Sequence, residues 1–138
     1  MLGLDDDTIA AALTSFAGVP HRLELVRDVG GVRFVNDSKA TNVAAALRGL
    51  AAYREPLHLI LGGSLKGESF DPLARAVRER GHVRSVHLVG EAGEQLAGAL
   101  SEAGVAFELA GTLDRAVAGA AGLAQPGEVV LLSPACAS

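Results

Sequence analysis

Asn36-Asp37-Ser38-Lys39-Ala40-Thr41-Asn42 is the segment richest in side chains that can do chemistry, and it directly follows the β-prone run Val32-Arg33-Phe34-Val35. A strand-to-helix turn carrying a lysine suits an anion, because unpaired backbone N–H groups and the helix dipole point at the ligand. The same residues also read as a capping loop, with Ser38, Thr41 or Asn42 as N-cap and Lys39 solvated. A second segment, Gly62-Gly63-Ser64-Leu65-Lys66-Gly67, follows another aliphatic run. Its glycines permit positive φ or a close backbone approach, and Lys66 offers a point charge to a carboxylate or phosphate. Alone it also reads as a plain surface turn. The GxxxxGK[ST] spacing of a phosphate loop occurs nowhere in the 138 residues, so these residues hold no complete ATPase of that kind. Two cationic loops at one sheet edge would converge on one anionic ligand.

His21-Arg22 precedes the first β-prone run, and Ser133-Pro134-Ala135-Cys136-Ala137-Ser138 follows the last. Cys136 has no His or Asp near it in sequence to activate its thiol and reads as a buried, inert small residue. His58 and His87 lie inside apolar runs and read as satisfied core or sheet-edge residues, while His82 sits in a turn. The four histidines show no metal-ligand spacing, so no metal is assigned.

Positioning those loops requires alternating elements. Residues 5–16 read as a helix, with Asp5, Asp6 and Asp7 at its amino end and Gly18 and Pro20 stopping it. The runs 23–26 and 32–35 flank Val29-Gly30-Gly31 and form a hairpin signal. Helices are then expected over 42–53, 71–80, 91–103 and 112–124, alternating with strands over 57–61, 86–90, 105–109 and 129–132. This is the βαβ pattern of an α/β, Rossmann-like three-layer domain: a mostly parallel six-stranded sheet with one edge hairpin. Function in such sheets gathers at the carboxyl ends of the strands, here the loops 36–42, 62–70, 90–91, 110–112 and 133–138.

Composition narrows the class. The 138 residues are 49% hydrophobic, and a chain of this size buries about two-thirds of its unfolded surface. The net charge of −4, with no basic stripe, disfavours a general nucleic-acid binder. One cysteine rules out an internal disulfide framework or a thiolate zinc site. No apolar run reaches the roughly 18 residues of a membrane span and no signal pattern opens the chain, so the expected setting is cytoplasmic.

Four motifs together resemble the carboxy-terminal domain of the Mur ligases. In chain order they are Val19-Pro20-His21-Arg22-Leu23-Glu24, Val35-Asn36-Asp37-Ser38-Lys39-Ala40-Thr41-Asn42, Leu61-Gly62-Gly63 with Lys66-Gly67 and Phe70, and Leu132-Ser133-Pro134-Ala135-Cys136-Ala137-Ser138. The second motif points to the branch of the family that adds D-glutamate. The resemblance implies a peptidoglycan-building ligase that uses ATP and Mg2+, held mainly by a central domain, to join D-glutamate to UDP-N-acetylmuramoyl-L-alanine. It implies that residues 1–18 close that central domain and that 19–138 form the amino-acid-binding domain, shortened at its end and inactive alone. His21, Arg22, Asp37 and Lys39 are implied to contact the nucleotide, and Thr41, Lys66 and Ser138 the D-glutamate carboxylates. No catalytic residue and no metal ligand is carried over to this chain. Partners implied are the amino-terminal and central domains, with no nucleic acid and no membrane. The sequence departs from the family at Ser64-Leu65, where an acidic residue usually precedes the lysine. Two other readings of the same loops are a non-catalytic Rossmann-like module binding an anion or a partner, and a sister ligase taking another amino acid.

Overall fold

A computed structural model describes residues 24–64 and 69–136. The helix expected over 5–16 therefore lies outside the described residues. Strand β1 (Glu24–Val29) turns through Gly30-Gly31 into β2 (Val32–Asn36). Both glycines take positive φ, 59° and 88°, and Val29 pairs with Val32 across them. Only a primed two-residue turn of this kind matches the right-handed twist of the flanking strands. The remaining elements alternate: α1 (Val43–Ala51), β3 (Leu57–Gly62), α2 (Asp71–Arg80), β4 (Val83–Val89), α3 (Gly93–Glu102), β5 (Glu108–Gly111), α4 (Leu113–Leu123) and β6 (Val129–Leu132).

The six strands form one sheet in the order β1-β2-β6-β3-β4-β5. The β1–β2 pair is antiparallel, and every other neighbouring pair is parallel. The last strand in sequence thus lies inside the sheet, between β2 and β3. Every residue of β3 and β6 is buried, as parallel strands covered on both faces require.

Side-chain alternation divides the core in two. Leu57, Leu59 and Leu61 of β3 and Val129 and Leu131 of β6 pack beneath Val43, Ala46 and Leu50 of α1, Leu73 and Val77 of α2, and Leu96 and Leu100 of α3. Ile60, Val130, Leu132 and Phe34 project the other way, onto Ala116, Val117 and Ala120 of α4. Three helices on one face and one on the other make the expected three layers. Helix α2 shows the local grammar that sets such boundaries: Asp71 and a proline open it, Arg78 and Arg80 close it, and Gly81 caps it at φ 70°.

β1 runs three residues further than the expected 23–26, to Val29, and two other strands shift. β4 begins at Val83 rather than Val86, because Leu57 and His58 pair with Val83 and Ser85 and extend the ladder through polar residues. β5 spans Glu108–Gly111 rather than 105–109. Val105 and Phe107 are instead used to cover the large core cluster, and the Val105 N–H donates to the Leu100 carbonyl at 2.9 Å, closing the end of α3.

Candidate functional site

The carboxyl ends of β2, β6 and β3 lie side by side, and the site is built on the loops that leave them. After β2 the Asn36 side chain accepts the Ser38 N–H at 2.9 Å, an Asx turn that bends the chain out of the sheet. The Ala40 N–H then donates to the Asp37 carbonyl at 2.9 Å. Asn42 is the N-cap of α1: its side-chain oxygen accepts the Ala45 N–H at 2.8 Å. Of the three capping candidates it alone takes that place. Lys39 is exposed and Ser38 and Thr41 are half-buried. The first turn of α1 contains no acidic residue, so its positive end carries no carboxylate of its own.

The segment leaving β6 runs between the other two loops and bonds to both. The Asp37 N–H donates to the Leu132 carbonyl at 2.8 Å, the Ala135 N–H to the Ala40 carbonyl at 2.7 Å, and the Gly62 N–H to the Pro134 carbonyl at 3.0 Å. Three loops far apart in sequence are thereby held as one surface. Below it, Asp37 and Ser133 are 3% and 1% exposed, and the Ser133 hydroxyl donates to Asp37 Oδ2 at 3.3 Å. Ala135 has φ 65°, the one positive-φ residue other than glycine among the described residues. Such a conformation costs about 1–2 kcal/mol and persists where surrounding bonds over-determine it. The three bonds above provide that constraint.

Of the residues singled out from sequence, Asp37, Lys39 and Thr41 therefore share one loop at this edge, with only Lys39 fully exposed. The Asp37 carboxylate is turned inward, toward Ser133 and α1. His21, Arg22, Lys66 and Ser138 lie outside the described residues. Cys136 is buried, as expected. No group of three or more His, Cys, Asp or Glu suited to a metal exists among the described residues. His58 and His87 are buried and hydrogen-bonded on the α4 face of the sheet.

Sequence reasoning missed Gly49. A glycine inside a helix usually costs about 1 kcal/mol, so its presence in α1 signals a close approach. A Cβ built there would stand 2.9 Å from Asp37 Oδ2 and 3.2 Å from Ser133 Oγ. Both neighbours are buried and bonded to each other, so neither can yield cheaply. Gly49→Ala is therefore expected to lose about 1–3 kcal/mol to overpacking, more than helix propensity returns. Urea denaturation checks this, and a variant more stable than wild type would refute it.

Residues 21–136 match the family model described as "Mur ligase, glutamate ligase domain". The chain belongs to that family. This Mur ligase domain is 48% identical over its whole length to the UDP-N-acetylmuramoylalanine–D-glutamate ligase of Sphingopyxis alaskensis and 46% identical to that of Zymomonas mobilis. It covers 32% and 30% of those proteins, about a third of the length of the curated relatives it matches. Among solved structures it resembles E. coli FolC in complex with ADP, with a TM-score of 0.60 and 19% identity over 86% of this chain and 29% of that one. It also resembles a Yersinia pestis bifunctional folylpolyglutamate synthase/dihydrofolate synthase complexed with AMPPNP and Mn ion, with a TM-score of 0.62 and 20% identity over 89% of this chain and 29% of the other. At those identities the two structures bear on the fold alone, which they share with this Mur ligase domain.

Proposed function

We propose that this chain is the amino-acid-docking domain of an ATP-dependent ligase that adds D-glutamate to UDP-N-acetylmuramoyl-L-alanine in cytoplasmic peptidoglycan synthesis. The observation that carries the reading is near-half identity along the whole chain to relatives that bear that enzyme's name. The stitched edge supports it. A dicarboxylate amino acid needs cations and N–H or hydroxyl donors, and bonds from these to carboxylates are of the strong, charge-assisted kind. Lys39, Thr41 and the acid-free amino end of α1 supply such groups on one loop.

In this reading Lys39, His21 and Arg22 lie toward the nucleotide and Thr41, Lys66 and Ser138 toward D-glutamate, while Asp37, on the same loop as Lys39, would have to turn its carboxylate out from Ser133 to reach the nucleotide. The reaction moves the terminal phosphoryl group of ATP onto the carboxylate of UDP-N-acetylmuramoyl-L-alanine, releasing ADP; the amine of D-glutamate attacks the acyl carbon, loses a proton as the amide forms, and phosphate leaves. This domain's part is positional. It holds the incoming amine in line with the acyl carbon, converting a bimolecular encounter into an intramolecular one.

The test is to replace the carboxy-terminal third of the Zymomonas mobilis relative with this chain and follow phosphate release. Turnover is expected with D-glutamate and not with other amino acids, and the 138 residues alone are expected to give none. A folded chimera that prefers a different amino acid would overturn the proposal.

A further inference from the structure

On the face of the sheet opposite α1, α2 and α3, five polar side chains from four elements form an unbroken chain beneath α4. Glu128 Oε1, in the turn before β6, lies 2.7 Å from His58 Nε2 on β3. His58 Nδ1 lies 2.7 Å from Ser85 Oγ on β4, and that same hydroxyl lies 2.8 Å from His87 Nε2. His87 Nδ1 completes the chain 3.2 Å from Glu108 Oε1 on β5. Both imidazoles are buried, at 1% and 2% exposure. Gly119 of α4 seats over the His87 end of the chain: a Cβ there would meet Glu108 Oε1 at 2.8 Å and the His87 ring at 3.1 Å.

Two neutral rings do not carry enough hydrogens to fill this chain. There are four links, and each requires one proton between its two heavy atoms. Ionised carboxylates donate nothing, a neutral imidazole has one N–H, and a serine has one O–H. Two neutral histidines and one serine thus provide three protons for four links. The carboxylates compel each histidine to turn its N–H outward, so both inner nitrogens need the single Ser85 proton. With both rings neutral, one nitrogen would face the hydroxyl oxygen lone pair to lone pair in a buried site, an unmade bond that costs the desolvation of both groups.

We propose that this chain holds a fourth proton at neutral pH, carried by His58 as an imidazolium, and acts as a proton-dependent clamp joining β3, β4, β5 and the β6 entry turn beneath α4. His58 then donates to Glu128 and to Ser85, Ser85 donates to His87, and His87 donates to Glu108, which satisfies every link. The asymmetry of the chain selects His58. Its carboxylate contact is the shorter, and the Glu128 side chain is 15% exposed against 59% for Glu108, so its charge is less screened. Burial holds His87 below the ordinary histidine range, with the His58 charge acting in the same direction against partial compensation from Glu108. The hydrogen bond from His58, ahead of one from the Gln125 N–H and the charge of Arg84, holds the Glu128 carboxyl below its usual range. Helix α4 contributes no titratable residue from Ala116 to Leu123, so these groups are the ones that set the balance.

The test is a long-range proton–nitrogen NMR spectrum of the 138-residue chain at neutral pH. His58 is expected to show two protonated ring nitrogens, and His87 the wide nitrogen separation of a neutral ring protonated at Nδ1. A neutral His58 overturns the assignment, and two neutral rings overturn the proton count itself. Ser85→Ala supplies the second arm. With the hydroxyl gone two links remain, two neutral rings fill both, and His58 surrenders its extra proton at lower pH than in wild type. Ser85→Thr, which keeps the hydroxyl, restores the wild-type titration. An unchanged His58 titration in a folded Ser85→Ala variant would remove the hydroxyl from the clamp and overturn it.

Discussion

Gly62→Ala is expected to destroy the fold or to cost more than about 4 kcal/mol, the range reached only by steric or polar disruption of a core. Gly62 is the last residue of β3, at φ 133°, and pairs with Val89. A Cβ there would stand 1.9 Å from the Val89 carbonyl oxygen and within 2.9 Å of that residue's carbon and nitrogen. The obstacle is backbone, so no rotamer change relieves it. Relief requires separating the ends of β3 and β4, and with them the Gly62 bond to Pro134 that holds the β6 loop. Gly81→Ala is the control: φ is 70° but nothing lies within 4 Å of the added methyl. It should cost only the left-handed backbone penalty of about 1–2 kcal/mol. Circular dichroism with urea titration compares the two, and a Gly62→Ala variant no weaker than Gly81→Ala would refute the argument.

The second large effect concerns recognition. In the whole ligase, Lys66→Ala is expected to weaken D-glutamate binding by about 1.5–3 kcal/mol, the worth of a hydrogen bond to a charged group. Since each 1.4 kcal/mol is tenfold, KM for D-glutamate should rise by about ten- to a hundred-and-fifty-fold. KM for ATP should stay nearly constant, because a uniform loss of fold would move both. An unchanged KM for D-glutamate contradicts the role proposed for this lysine. The experiment also bears on Ser64-Leu65, which stand where the family usually places an acidic residue before the lysine.

Much of this edge is legible in the order of the residues. The Asn36–Asn42 segment stands out because its polar residues interrupt an aliphatic pattern at a strand end, where a helix must be capped. Gly62-Gly63 stands out as backbone needing unusual φ. The contacts of Ser133 and Gly49 do not: a helical glycine signals that something comes close and the Ser133 segment is visible as a motif, but no local pattern says that both meet Asp37, 96 residues away for Ser133. The histidines illustrate the same division. Their apolar flanks mark His58 and His87 as buried and satisfied, but the shared Ser85 hydroxyl depends on β3 and β4 pairing with His58 opposite Ser85.

The sequence alone therefore determined the βαβ alternation, the glycine hairpin, the ends of the four described helices to within two residues and the family, because periodicity, capping and turn chemistry are local properties of a chain. Tertiary structure decided where the last strand goes. β6 inserts between β2 and β3, since its aliphatic residues must be covered on both faces, and only the interior of the sheet does that. That insertion brings Ser133–Cys136 between the two loops that carry the chemistry and turns three separate motifs into one site.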